Sequence, residues 1–375
     1  MRTKLFLLIF FSLFFFPAAL FAQNSPEQKE EEVFKARVIE VLEQKKVSRD
    51  DGSVSIRQKL KLIGLEKNWK DKEIIFDGTE IDVVSADEYA VGDKVLVDYS
   101  PGPEGDDNFY IVGFSRTNTI YWLALLLALI VVAVGKLKGL RALIVLLLTF
   151  LVILKFIVPM ILSGNDPLII SIIGSLFILT LSVYITEGLR RTSTIAIFAV
   201  LISLVITGLL SVWFSAAAKL TGFASEEAAY LTGLAGGNIN IKGLLLAGII
   251  IGALGALDDV IISQVALVKE LKKANPGLAK RQVYGQAMRV GVSHLSSLVN
   301  TLFLAYAGAS LPLLILFSVN QPPFLTFSQV IDNEMIATEI VRTFTGSIGL
   351  ILAVPIATFL AVQLIKNDAK SEVAP

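Results

Sequence analysis

The chain has 375 residues, of which 54% are hydrophobic and only 18% charged, and its formal net charge is zero. A soluble domain carries about 25% charged residues, whereas here the apolar excess after residue 119 lies in runs long enough to cross a bilayer. The absence of cysteine excludes disulfides and thiolate metal sites, and the single histidine, His294, excludes sites with several histidines. The balanced charge gives no basic field for nucleic acid, and we expect no metal and no cofactor.

The first 22 residues have the order of features that is typical of a secretory signal peptide. Two basic residues precede an apolar run, and a proline and small residues follow it. We predict cleavage after Ala22. An uncleaved anchor is the alternative, and in both cases the next segment is exported. Residues 23–32 are polar and are predicted to form a linker.

Residues 33–118 are predicted to form a small extracytoplasmic domain that is rich in β-strands. The segments with strand patterns are 33–41, 54–65, 74–76, 94–99 and 109–114. Turn residues separate these segments, and five or six short strands in so short a stretch indicate an all-β, OB- or barrel-like fold. The domain has no catalytic constellation, so we interpret it as a packing module or as a module that binds a protein partner.

The pattern from residue 119 to 366 predicts an α-helical polytopic membrane bundle of about seven spans within the lipid bilayer. The predicted spans are 119–134, 140–162, 167–186, 193–214, 243–268, 291–317 and 340–365, and residues 367–375 form a tail. The span 291–317 is long and contains Pro312. It is interpreted as one kinked span, or as a span followed by a re-entrant piece.

Basic residues occupy alternate connections between the predicted spans. Lysine and arginine fill the first, third and fifth connections and the tail, whereas the intervening connections hold few or none. The positive-inside rule places the basic connections in the cytoplasm. The N-terminal domain is therefore predicted to lie outside the cell membrane, and the C-terminus inside.

The fifth predicted span places small and polar residues along one stripe of a helix. At 3.6 residues per turn the stripe consists of Gly248, Gly252, Gly255, Asp259, Ser263, Ala266 and Glu270. Glycines at this spacing let a second helix approach closely, and carboxylates in hydrocarbon usually face the bundle or a water-filled cavity.

Asp259 and Ser263 are therefore candidates for an ion- or proton-binding site, although a structural pairing of Asp259 with another span remains equally open. Asp258 points about 100° away from Asp259 on the helix. Glu270 stands among lysines, where a solvated ion pair is the favoured interpretation.

The sixth predicted span carries Asn300 deep in the membrane, where its amide requires an interhelical hydrogen-bond partner. Asp259 is a chemically suitable partner. His294 lies near the cytoplasmic end of this span and is interpreted as an interface residue rather than a proton relay.

The seventh predicted span opens with Glu339 and Arg342, which are three residues apart and can pair on the helix. A structural ion pair at the outer interface and a role in binding substrate are both open. Gly346 and Gly349 lie on the same face, where we expect close helix packing.

The segments GALGALDDVIISQVALVKEL, NTLFLAYAGASLPLL and NEMIATEIVRTFTGSIGLILAVPIATFLA carry a family resemblance. They resemble the YibE/F-like family of bacterial multipass membrane proteins, most specifically over residues 250–362. The resemblance implies a bundle behind an exported β-rich domain and a place in the bacterial cell membrane, and it supplies no substrate. The positions that it marks as typical of the family are Gly252, Gly255, Asp259, Ser263, Glu270, Asn300, Thr301, Tyr306, Pro312, Glu334, Glu339, Arg342, Gly346 and Pro355.

Two functions are compatible with these features. Asp259, Asn300 and the Glu339–Arg342 pair in a polytopic bundle favour a transporter or permease for a small solute or ion. The chain has no Gly-x4-Gly-Lys-Ser/Thr sequence, so transport would depend on a gradient or a partner subunit. The alternative is a non-transporting envelope assembly, signalling or scaffold protein that acts through its β-domain. An enzyme is disfavoured, because the adjacent Asp258 and Asp259 diverge on a helix and cannot form a two-carboxylate site.

Overall fold

The structure is a computed structural model that describes residues 32–48, 54–79, 88–101, 107–224, 226–234, 239–319, 322 and 325–366. The predicted signal peptide, nearly all of the predicted linker and the tail 367–375 lie outside the described residues. The chain divides between Ile130 and Val131 into two compact units.

Five antiparallel strands form a half-barrel sheet in the first unit, and they confirm the strands predicted from the sequence. They are β1 (Glu32–Ser48), β2 (Val54–Gly64), β3 (Glu73–Asp77), β4 (Lys94–Pro101) and β5 (Asp107–Phe114). Their spatial order is β3-β2-β1-β4-β5. The long β1 pairs with both β2 and β4, and its pairing with β2 shifts register twice. Such bulges bend a strand, which lets one strand serve both halves of the curved sheet.

Alternate residues of the strands build the core of this half-barrel. Phe34, Ala36 and Val38 of β1 are buried, whereas the residues between them are more accessible to solvent. This period of two is the pattern from which the strands were predicted, since successive side chains of a strand point to opposite faces. Trp69 and Phe109 pack against the same core, with a 4.9 Å distance between their ring centroids.

A sharp break interrupts the first long helix, α1 (Thr117–Val152), at Lys136, where φ is +49°. A Cβ on Gly139 would overlap the carbonyl oxygen of Val131. In a straight helix eight residues rise by about 12 Å, so the chain must turn back on itself at Lys136. This break falls in the connection that was predicted between the first and second spans. A π-helical turn (Ile153–Ile157) and α2 (Val158–Leu162) complete this segment.

The remaining helices follow in chain order. They are α3 (Pro167–Glu187), α4 (Arg191–Ala217), α5 (Glu226–Leu234), α6 (Ile241–Ala274), α7 (Lys280–Ala309), α8 (Leu311–Ser318), α9 (Phe327–Asp332) and α10 (Glu334–Leu364). Within the described chain six helical segments are long and apolar enough to cross a membrane: Thr117–Leu162, α3, α4, α6, α7 and α10. The count is one fewer than predicted because helical conformation continues on both sides of Lys136. The predicted span 291–317 is divided at Ser310, where α7 ends and the short α8 begins.

The tightest packing in the bundle lies between α4 and α10. The buried small residues of α4 recur every four positions and are Ala199, Ser203, Thr207, Ser211 and Ser215, and those of α10 are Thr345, Gly349, Ala353, Ala357 and Ala361. Ser211 Oγ donates to Thr345 Oγ1 over 3.1 Å, and a Cβ on Gly349 would overlap the side chain of Thr207. Small residues at this spacing bring two helix backbones close together, which is how membrane helices associate without a hydrophobic driving force.

Candidate functional site

Helix α6 occupies the centre of the bundle and packs against α3, α4, α7 and α10. Its inward face is apolar, with Ile250, Leu257 and Ile261 almost fully buried. The predicted stripe of small and polar residues faces the other way, and all seven of its members are exposed: Gly248, Gly252, Gly255, Asp259, Ser263, Ala266 and Glu270. The polar stripe therefore points out of the bundle instead of into it.

The glycines of the two predicted packing faces meet different surroundings. No heavy atom of the described chain lies within 4 Å of a Cβ built on Gly248 or Gly255, so no described helix packs against these two glycines. A Cβ built on Gly252 would lie 3.4 Å from the Tyr306 hydroxyl. On α10, a Cβ built on Gly346 would lie 4.0 Å from Leu302, whereas one on Gly349 would overlap Thr207. The sequence correctly placed the glycines of each helix on one face, but it did not show which of these faces packs against the described chain.

The two adjacent aspartates of α6 lie in different environments. Asp258 is half-buried towards α3, and its Oδ2 accepts a hydrogen bond from Ser182 Oγ at 3.3 Å. Asp259 is exposed, and within the described chain it makes no side-chain hydrogen bond or ion pair. The predicted divergence of the pair is present, but Asp258 rather than Asp259 is the carboxylate inside the bundle.

Helix α7 exposes most of its length, including His294 and Asn300. It contacts α6 at two levels, where Tyr306 faces Gly252 and where Gln264 donates to the carbonyl of Ala287. Asp259 and Asn300 lie between these two levels on their helices, yet no hydrogen bond joins them in the described chain. Both polar groups face outward.

Glu339 and Arg342 form the ion pair that their spacing predicted. Arg342 Nη1 lies 2.9 Å from Glu339 Oε1, with both side chains about two-thirds or more shielded. Tyr306 of α7 lies near both members of the pair. Arg342 Nε is buried without a hydrogen-bond partner in the described chain. A polar group formed by α7 and α10 thus lies beside the glycine stripe of α6.

Glu334, which the sequence marked only as a position typical of the family, has a structural role. Its carboxylate accepts hydrogen bonds from the Thr221 amide and hydroxyl and from the Gly222 amide, at 2.6 to 2.9 Å. Gly222 has φ +91°, and a Cβ there would also approach the Ile241 carbonyl at 2.7 Å. Glu334 therefore ties the loop after α4 to the start of α10.

Glu270 lines an open cleft of about 160 Å³ at the end of α6, beside the turn between α3 and α4. The other charged residues of this cleft are Glu187, Arg190 and Lys269. Glu270 forms no salt bridge within the described chain, so the ion pair expected for it is not made there. The mixed charges leave the cleft without a preference for one ligand charge.

Sequence reasoning missed two buried polar residues of α6. Gln264 donates to the Ala287 carbonyl at 3.0 Å and to Thr358 Oγ1 at 2.7 Å, which links α6 to α7 and α10. Lys272 is 6% exposed and donates to the last carbonyls of α10. The amide of Gln264 stands within an apolar run, which could have indicated a buried hydrogen bond. Lys272 lies among other lysines in the sequence, and nothing there distinguishes it from them.

A family model described as YibE/F-like protein matches residues 123–367. The chain belongs to the YibE/F-like family. The match begins inside α1 and covers every later helix, so the β-domain lies outside it. Searches of curated proteins and of solved structures found no match to the chain.

The family match and the long apolar helices together identify the chain as a multipass membrane protein. Its candidate functional groups form two sets, one in the contact of α6 with α3 and the other on the exposed surfaces of α6 and α7. Asp258 and Ser182 lie in the interior of the helix bundle, between α6 and α3. Asp259, Ser263 and Asn300 lie on the outer surface of the helix bundle, on the exposed faces of α6 and α7.

Proposed function

We propose that this YibE/F-like protein is a transporter for a small solute or ion and that Asp258 is its coupling residue. The supporting observation is a carboxylate within a membrane span whose side chain has one hydroxyl partner, Ser182, and no cation within ion-pair distance in the described chain. An ionised carboxylate in hydrocarbon is costly unless it is paired, and such residues commonly mark ion or proton pathways.

A proton or a small cation on Asp258 would neutralise the carboxylate and remove this cost. Release of that ion to one side of the membrane would restore the charge and its energetic cost. A gradient-driven carrier requires such a difference in energy between its loaded and its empty state. Ser182 lies on α3, so a change at Asp258 would act on the contact between α3 and α6. The π-helical turn at Ile153–Ile157, which is a common feature of functional sites, packs on the same α3.

The topology that we propose has seven spans. Because the chain turns back at Lys136, Thr117–Leu162 is counted as two spans, and the other five are α3, α4, α6, α7 and α10. The basic connections, around Lys136, at Arg190–Arg191 and between α6 and α7, then share one side of the membrane. The positive-inside rule makes that side the cytoplasm of a bacterial cell and places the β-domain outside.

The proposed transporter is neither an ATPase nor another enzyme. It lacks a phosphate-binding Gly-x4-Gly-Lys-Ser/Thr sequence, which supports a gradient or a partner subunit as the source of energy. Asp258 and Asp259 diverge by about 100° on α6, which argues against a catalytic carboxylate pair.

The test is flux through purified protein in liposomes, with protons, simple cations and small anions screened in turn. Asp258→Asn keeps the shape of the side chain and removes its charge, and we expect it to abolish flux. Asp332→Asn, in the exposed helix α9, is the matched control and should transport normally. Each variant must elute as the folded wild type does. Undiminished flux in Asp258→Asn contradicts the assignment of Asp258, and the absence of any flux from folded wild type contradicts transport.

A second candidate is an envelope assembly, signalling or scaffold protein that acts through the β-domain. The supporting observation is the half-buried aromatic group of Trp69, Tyr99 and Phe109, since aromatic residues are enriched where proteins bind partners. Deletion of residues 33–118 tests this candidate. A cellular phenotype from the deletion with intact flux would favour a binding role, whereas a deletion without phenotype would exclude it.

A further inference from the structure

The outward surface of α6 and α7, which we name the lateral face, carries Asp259, Ser263, Ser297 and Asn300. These residues lie within two of the helices that are long and apolar enough to span the membrane. Only 6% of the most apolar window of α7 is buried by the described chain, compared with 50% or more for α4, α6 and α10. The lateral face is therefore polar but uncovered.

Such a face is unfavourable against lipid. Asp259 and Asn300 have no side-chain hydrogen bond within the described chain, and hydrocarbon offers them no partner. Gly248 and Gly255 beside them are bare, which leaves room for the backbone of another helix to approach. Polar groups and bare glycines are two independent features that call for a protein covering.

We propose that the lateral face is covered by a second copy of this chain, related by a two-fold axis along the membrane normal. Asp259 and Asn300 lie between the same two α6–α7 contacts, so they lie at a similar depth in the membrane. A two-fold axis along the normal preserves depth. Asp259 of each copy then meets Asn300 of the other, and a carboxylate acceptor receives an amide donor twice in one interface.

The size of the face agrees with this arrangement. Thirty helical residues extend about 45 Å, and two adjacent helices 8–10 Å apart present on the order of 800 Å². Stable interfaces bury about 800 Å² on each partner. The proposed dimer does not depend on the proposed transport function. A dimer without flux would contradict only the transport proposal, and flux without a dimer would contradict only the dimer.

The absence of cysteine makes a crosslinking test direct, because introduced thiols have no competitors. Two differently tagged copies, one with Asp259→Cys and the other with Asn300→Cys, are expressed together, and their membranes are treated with a mild oxidant. We expect a disulfide-linked dimer that carries both tags. Val205→Cys in both copies is the control, since Val205 is 59% exposed near the middle of α4, away from the lateral face. It should not crosslink.

The mass of the wild-type protein in lipid nanodiscs gives an independent reading that needs no substitution. A mass of two chains supports the proposal. A mass of one chain, a different protein bound in place of the second copy, or a dimer that crosslinks through Val205 and not through the Asp259 and Asn300 positions overturns it.

Discussion

Lys272 of α6 donates a hydrogen bond from its ammonium group to the backbone carbonyl of Val362, 2.8 Å away near the end of α10. It also donates to the carbonyl of Ile365. The last carbonyls of a helix have no partner within the helix, and a cation there also interacts favourably with the helix dipole. Lys272 therefore holds the end of α10 against α6.

We expect Lys272→Met to lower the free energy of unfolding by about 1.5–3 kcal/mol, the usual range for hydrogen bonds that involve a charged group. Methionine is an unbranched apolar side chain only one atom shorter than lysine, and it removes the donor. Thermal unfolding in detergent measures the effect. The matched control is Lys273→Met at the exposed neighbouring position, which should leave the melting temperature nearly unchanged. Equal effects at both positions would refute a capping role.

Gly349→Ala should destabilise the bundle by about 1–3 kcal/mol, because overfilling a packed interface forces its helices apart. The added methyl group would overlap the side chain of Thr207 on α4. Denaturant titration of the purified protein measures the loss. Gly285→Ala on α7 meets no heavy atom of the described chain within 4 Å and should be neutral or slightly stabilising. A neutral Gly349→Ala would contradict the close approach of α4 and α10.

Glu334→Gln should loosen the loop after α4. Oε1 accepts from both backbone amides and from the Thr221 hydroxyl, and a neutral amide oxygen accepts these hydrogen bonds more weakly than a carboxylate does. The amide nitrogen also cannot accept the second contact of the Thr221 hydroxyl, which Oε2 makes. We expect faster hydrogen exchange at the backbone amides of Thr221 and Gly222, whereas exchange within the helices should be unchanged. Asp332→Asn, two residues earlier, is the control and should leave these amides protected. Unchanged exchange in Glu334→Gln would show that the loop is held by other contacts.

Asp77 in the β-domain should make stability depend on pH in acid. The hydrogen bond from Lys59 and those from Thr79 lower the pKa of the Asp77 carboxyl from its usual 3.8 to about 2. Because the pKa is lower in the folded state, the stabilisation is present above pH 4 and is lost as the pH falls towards 2.

The difference in stability between wild type and Asp77→Asn should therefore be largest near neutral pH and shrink between pH 4 and pH 2. Denaturation midpoints of the full chain at a series of pH values measure it. Asp71→Asn is a suitable control, since the Asp71 carboxylate makes no hydrogen bond within the described chain. A difference that grows in acid would have the wrong sign for this mechanism.

The strands and most helices followed from periodicity, because a period of two and long apolar runs leave few alternative structures. The orientation of α6 did not. Its two faces are both compatible with protein contact: one is lined by apolar residues such as Ile250 and Leu257, and the other by glycines with Asp259. In a membrane an apolar face can meet lipid or protein, so composition does not tell which face turns inward.

The partner helices of the bundle also required the structure. The small residues of α4, from Ser203 to Ser215, and the α6 glycines both recur every three or four positions, yet within the described chain the α4 residues meet α10 closely whereas Gly248 and Gly255 meet no helix. Hydropathy and spacing alone were sufficient for the strand segments and the Glu339–Arg342 pair, because these depend on patterns that are local along the chain. Tertiary packing decided that Asp258 lies inside, that Asp259 lies outside and that Lys272 caps α10. Those outcomes depend on which distant helices meet, and no local pattern contains that information.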